Sequence, residues 1–119
     1  MKRVLVVEDN DRWAEIMSRY VAMSGVDCLV SPTASRAIDD IDRWKPDVIV
    51  LDILLAEVTG VALLNEIRSH GDLAKIPIII CSSLEIKNED LLAYGVESVL
   101  HKETMTPDQF KQSLWEVLA

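Results

Sequence analysis

Three short runs of this chain are apolar with no polar residue alternating inside them: Val4-Leu5-Val6-Val7, Val48-Ile49-Val50-Leu51 and Ile78-Ile79-Ile80-Cys81. Unbroken runs of β-branched and bulky residues read as strands buried on both faces, as a parallel sheet covered by helices requires. Each run ends on polar atoms, with Glu8-Asp9 after the first, Asp52 after the second and Ser82 in line with the third. A further stretch, Val99-Leu100-His101, ends on Lys102. Asp52 taken alone reads equally well as a turn residue. The company it keeps at the other strand ends decides otherwise.

Helical patterns fill the spaces between strands. Asn10 and Asp11 offer capping oxygens for a helix over about residues 11 to 24, with Trp13, Ile16, Met17, Tyr20 and Val21 on one face. Gly25 ends it. Residues 27 to 30 form a second strand, closed by Ser31-Pro32. Ala34, Ala37, Ile38 and Ile41 line a second helix that stops before Pro46, because the residue before proline avoids α geometry. After the 46–52 strand a loop runs to Gly60. Val61, Leu63, Leu64 and Ile67 then mark a third helix. A short polar helix is expected over about 87 to 94, closed by Gly95, and a fifth strand over 96 to 101. Thr106-Pro107-Asp108-Gln109 is a capping box with proline at the first helical position, opening a last helix lined by Phe110, Leu114, Val117 and Leu118.

Five strands alternating with five helices imply a parallel sheet with helices on both faces. In the order 2-1-3-4-5, ligands bind where strand order reverses, outside the carboxyl ends of strands one and three. Those ends carry Glu8-Asp9 and Asp52. The chain has 119 residues, half of them hydrophobic, which suits one domain with one sizeable core. Twenty acidic side chains against twelve Lys and Arg give a net charge of -8. Such a surface repels nucleic acid and anionic lipid, so no direct nucleic-acid binding is expected. No apolar run approaches the ~20 residues of a membrane span. Met1-Lys2-Arg3 opens like a signal peptide, but Glu8-Asp9-Asn10-Asp11 interrupts it, and a cytoplasmic location without membrane insertion is expected. Cys28 and Cys81 are too few for a zinc site, and strands two and four lie too far apart to join them by a disulfide.

The three carboxylates of Glu8, Asp9 and Asp52 repel one another by about 4 kcal/mol per close pair at an intermediate dielectric, so a cation or protons must compensate. All-oxygen ligands suit Mg²⁺. Lys102 and Ser82, on the same rim, can contact oxygens of a phosphoryl group carried by Asp52, whose carboxylate can act as a nucleophile towards phosphorus.

Glu8-Asp9, Asp52, Ser82 and Lys102, in this order and at these strand ends, closely resemble the active-site quintet of the response-regulator receiver domain. The resemblance covers the whole chain, including the eight-residue step from Asp52 to Gly60. It implies a flavodoxin-like (βα)5 three-layer sandwich, and one receiver domain over residues 1–119. By the same resemblance Asp52 accepts a phosphoryl group from a phosphohistidine on a sensor histidine kinase or a histidine phosphotransfer protein, with acetyl phosphate as a small-molecule donor. Asp9, Asp52 and the Leu54 carbonyl would bind Mg²⁺, for which Mn²⁺ can substitute, and Glu8 would reach it through water. Output would pass to a downstream protein or to an output domain outside this chain.

The sequence departs from the family pattern at four places. Ala56 stands where a proline is usual, Glu103 where another is usual, and the segment from Ser82 to Gly95 is about two residues short. Val99 replaces the usual Tyr or Phe that turns inward on activation. A β-branched valine cannot perform that switch, which keeps open an alternative: a phosphorylation-independent binding module of the same fold. Leu54 and Leu84 flank the site with apolar side chains that cannot orient water, so slow self-dephosphorylation is expected. An FMN protein would need a Ser/Thr/Gly-rich phosphate loop where Glu8-Asp9 stands. An aspartyl phosphohydrolase would need an Asp-x-Asp pattern after the first strand, which is absent.

Among the other residues, Trp13, Trp44 and Phe110 read as packing, and Trp115 lies off the main face of the last helix. Asp39, Asp40 and Asp42 read as a solvated helix face, and Asp11 as a cap. His70 and His101 are not expected to carry a phosphoryl group.

Overall fold

The computed structural model describes residues 2–54, 60–83 and 95–119. Its strands are β1 (Arg3–Val7), β2 (Asp27–Ser31), β3 (Val48–Leu51), β4 (Ile78–Ser82) and β5 (Ser98–His101). They form one sheet in the order β2-β1-β3-β4-β5, every neighbouring pair parallel. The register sets Val7 beside Leu51 and Ser82 beside His101, so the residues that follow β1, β3 and β5 emerge on one edge. This is the α/β architecture the alternating pattern predicts.

The helices are α1 (Asp11–Met23), α2 (Ala34–Trp44), α3 (Gly60–Ser69) and α4 (Pro107–Leu118), with a 3₁₀ turn at Leu73–Lys75. Their ends obey local chemistry. Asn10, rather than Asp11, caps α1 by accepting from the Trp13 N–H, and Thr33 caps α2 by accepting from Arg36. Thr106 and Gln109 form the reciprocal capping box at α4. Gly25, at φ +73°, sits in the left-handed conformation just past α1, as glycine allows without a Cβ penalty.

Both faces of the sheet are covered. On one, Leu5, Val7, Ile49, Leu51, Ile78 and Ile80 pack against Ala37 and Ile41 of α2 and Leu64 and Ile67 of α3. On the other, Val4, Val6, Val48, Val50 and Ile79 meet Met17 and Val21 of α1 and Phe110 and Leu114 of α4. The unbroken apolar runs thus alternate sides within each strand and find helices either way. Cys28 and Cys81 are free thiols on β2 and β4, separated by β1 and β3. The helix expected over 87 to 94, and the positions of Ala56 and Leu84, lie outside the described residues.

One expectation is corrected. Asp40 is not on a solvated face: it is 1% exposed, accepts from the Ser31 hydroxyl at 2.7 Å and pairs with Arg43 at 2.7 Å. It lies three residues after Ala37 and next to Ile41, on the buried side of α2. Asp39 and Asp42 are exposed as expected.

Candidate functional site

The strand ends assemble an acidic cluster with one base. Glu8 and Asp9 follow β1 directly, and Asp52 follows β3. Their backbones are fixed, the Glu8 N–H donating to Ser31 O at 3.2 Å and the Asp52 N–H to Val7 O at 3.1 Å. Ligand oxygens of Glu8, Asp9 and Asp52 all lie within 4.8 Å of one another. Glu8 and Asp52 are buried and Asp9 is exposed, so the cluster has a floor and an open side. Lys102 follows β5, its N–H donating to Ser82 O at 2.9 Å. Its ammonium reaches back 2.6 Å from Glu8 Oε2 and donates to Asp52 Oδ2 at 3.1 Å.

Both Asp52 oxygens are engaged, because Oδ1 accepts the Leu54 N–H at 3.1 Å. The carboxylate plane is therefore set before any ligand arrives. Ser82 ends β4 and is buried, whereas the Leu54 side chain, two residues after Asp52, is half exposed. Glu8 Oε1 accepts the Asn10 N–H at 3.2 Å. Glu8 Oε2 is held by the Lys102 ammonium in a short ion pair.

Burial pushes the Glu8 carboxyl above the usual carboxylate range; Lys102 opposes this and the Asp52 charge reinforces it. Burial also disfavours the Lys102 ammonium, but Glu8 and Asp52 together outweigh that and hold it above the usual lysine value. Three carboxylates facing one ammonium leave an excess of two negative charges. A divalent cation matches that excess, and the all-oxygen donor set of three clustered carboxylates, one of them open to solvent, suits a hard ion such as Mg²⁺. The residues fit the group.

Among the described residues, Glu8, Asp9, Asp52, Ser82 and Lys102 lie at the carboxyl edge of the sheet; the three carboxylates are within reach of one another, and Lys102 reaches Glu8 and Asp52. Two contributors had no sequence signal. The Ser31 carbonyl fixes Glu8, and the Trp13 ring lies 5.4 Å from the Lys102 ammonium. Both contacts depend on how separate units pack. Val99, on edge strand β5, is partly buried against the α2–α3 side of the core.

Comparison with known proteins agrees with this geometry. A family model for the response regulator receiver domain matches residues 4–114. The polar-differentiation response regulator DivK of Brucella anthropi is 26% identical over 108 residues, with 89% of this chain and 88% of that protein covered. The Regulator of RpoS of Escherichia coli K12 is 24% identical over 119 residues, a match spanning 98% of this chain and 35% of that protein's length. A signal receiver domain structure from Vibrio parahaemolyticus superposes with a TM-score of 0.89 at 30% identity, covering 98% of this chain and 89% of that one. With the family model spanning nearly the whole chain, and the strand order and acidic edge in agreement, the chain belongs to the response regulator receiver domain family.

Proposed function

We propose that residues 1–119 act as one receiver domain, a Mg²⁺-dependent phosphoaspartate switch in a phosphorelay. The observation that carries the reading is the buried ammonium of Lys102 within reach of both Glu8 and Asp52, beside a third acid open to solvent. Asp52 is the acceptor. Its carboxylate forms the new O–P bond while the P–N bond to a phosphohistidine breaks, and the imidazole leaves with the electron pair. The donor is a sensor histidine kinase or a histidine phosphotransfer protein. Lys102 and the Ser82 hydroxyl contact oxygens of the phosphoryl group, and the Leu54 N–H keeps the acceptor carboxylate in plane. Asp9, Asp52 and the Leu54 carbonyl would hold the metal, with Glu8 reaching it through water. When bound, Mg²⁺, or Mn²⁺ in its place, neutralises charge on the transferring group.

The domain is a signalling module whose chemistry is confined to its own phosphorylation and dephosphorylation. Output runs through protein contacts, with a downstream partner or an output domain as reader, in the cytoplasm. No described helix is long and apolar enough to cross a membrane, and the charge of -8 argues against direct nucleic-acid binding.

Val99 favours a second reading, the phosphorylation-independent binding module, because a half-buried valine offers no aromatic to swing inward. Beryllofluoride, which mimics the phosphoryl group on a carboxylate, separates the two. The switch binds it in Mg²⁺ with shifted amide resonances near β3, β4 and β5, and Asp52→Ala abolishes the response. Absent binding, or unchanged spectra on binding, selects the static module. Phosphotransfer profiling against histidine kinases and phosphotransfer proteins then identifies the donor.

A further inference from the structure

Lys102 has a neighbour besides the two acids. Its ammonium lies over the ring of Trp13, 5.4 Å from the centroid, inside the roughly 6 Å within which an aromatic face attracts a cation. The ring is firmly placed. Trp13 stands in the first turn of α1, its own N–H donating to Asn10 Oδ1 at 3.0 Å, and its side chain packs half-buried against the α1–α4 side of the core. Asn10 in turn donates its N–H to Glu8 Oε1. One helix start therefore positions both a carboxylate and an aromatic face against the same ammonium.

We propose that Trp13 is a positioning residue for phosphoryl transfer, its ring holding the Lys102 ammonium at the acceptor through a cation–π contact. The inference rests on the phosphoacceptor reading and adds to it the group that sets where Lys102 reaches. A lysine side chain is long and rotamer-rich, and this ammonium is shared between two acids, 2.6 Å from Glu8 Oε2 and 3.1 Å from Asp52 Oδ2. The ring adds a third contact, which limits how far the ammonium shifts from one carboxylate towards the other. Leu or Met keeps an apolar side chain against this part of the core, with some loss of packing, but offers the ammonium no aromatic face.

The test compares wild-type protein with Trp13→Phe and Trp13→Leu, each checked for folding by its amide spectrum and thermal midpoint. In metal-free protein, the Lys102 Cε protons are shifted upfield by the indole, less so in Trp13→Phe, and not at all in Trp13→Leu. In Mg²⁺, beryllofluoride binds Trp13→Phe within about threefold of wild type and Trp13→Leu about tenfold more weakly, following the ring rather than the thermal midpoint. Unshifted Cε protons in the wild type, or equal beryllofluoride affinity in Trp13→Leu, overturn the positioning role alone. Losses that are equal in both variants and track stability do the same. A wild type that binds no beryllofluoride overturns the phosphoacceptor reading, and the positioning role with it. If Trp13→Leu does not fold, Trp13→Met takes its place with the same expectations.

Discussion

Lys102 and Glu8 form a 2.6 Å ion pair with both side chains almost wholly out of water. The pair does not settle its own charges. Burial and the second carboxylate of Asp52 together raise the Glu8 carboxyl in spite of the ammonium beside it. The site is therefore built with more negative charge than one lysine relieves, which is the condition for attracting a divalent cation.

Glu8 should weaken the metal-free fold at neutral pH. A carboxyl that titrates higher folded than unfolded binds its proton more tightly in the folded chain. Its stabilising effect is present at low pH and declines as pH rises from the ordinary value of 4.5 through the raised one. Lys102 behaves differently. Its raised value gives stability present throughout the neutral range and lost only as pH rises beyond the ordinary 10.5. Glu8→Gln is expected to flatten the acid-side slope and to raise the thermal midpoint by a few degrees, while Mg²⁺ affinity falls about 10- to 100-fold. Thermal unfolding across the acid range and calorimetric Mg²⁺ titration measure both. A lowered midpoint would show that the pairing with Lys102 outweighs the repulsion.

Asp40 is expected to matter more than its surface neighbours. Asp40→Ala strands the Ser31 hydroxyl in a buried place, at a cost of about 1–3 kcal/mol. Arg43→Ala should cost well under about 1 kcal/mol, because that side chain is 74% exposed. Urea unfolding of Ser31→Ala, Asp40→Ala and the double variant should show clear non-additivity. Simple additivity would mean the two groups are not coupled.

The same residue shows how far the sequence carries. Runs such as Ile78–Cys81 announce buried strands by themselves, and the polar residues at their ends mark the site edge. The position of Asp40 was available from its spacing to Ala37 and Ile41, yet an acid among acids reads as solvated when its partner Ser31 sits on another element. Trp13 was legible as packing, since its helical spacing shows a buried face. What that face looks out on is set by the meeting of α1 with the end of β5. No local pattern encodes such a contact.

Cys81 should be inert in the native protein. Burial pushes its thiol up to about 12, and the thiolate is the reactive form. At mildly alkaline pH, iodoacetamide should leave Cys81 unmodified until the chain is unfolded, whereas the half-buried Cys28 should react slowly. Mass spectrometry of labelled peptides distinguishes the sites. Rapid native labelling of Cys81 would mean that β4 opens far more often than a central strand should.

The Leu54 side chain, half exposed two residues after Asp52, is apolar and carries no group that could align a water for the proposed hydrolysis. Phosphorylated protein should lose its phosphoryl group slowly, and Leu54→Asn should accelerate that loss several-fold by supplying a hydrogen-bonding amide. Phosphate release after acetyl phosphate is removed gives the rates. Equal and rapid loss from both proteins would eliminate Leu54 as a control point.

The order of the strands along the chain has a consequence for synthesis. Glu8, Asp9 and Asp52 come from the first half of the sequence, while the ammonium that faces them follows β5, an edge strand and the last strand made. A nascent chain that has paired β1 with β3 carries its acids without their counter-charge. The ammonium of Lys102 reaches Glu8 and Asp52 only when the C-terminal part of the domain has docked, so the completed charge arrangement at the sheet edge is a property of the whole domain and of no shorter piece of it.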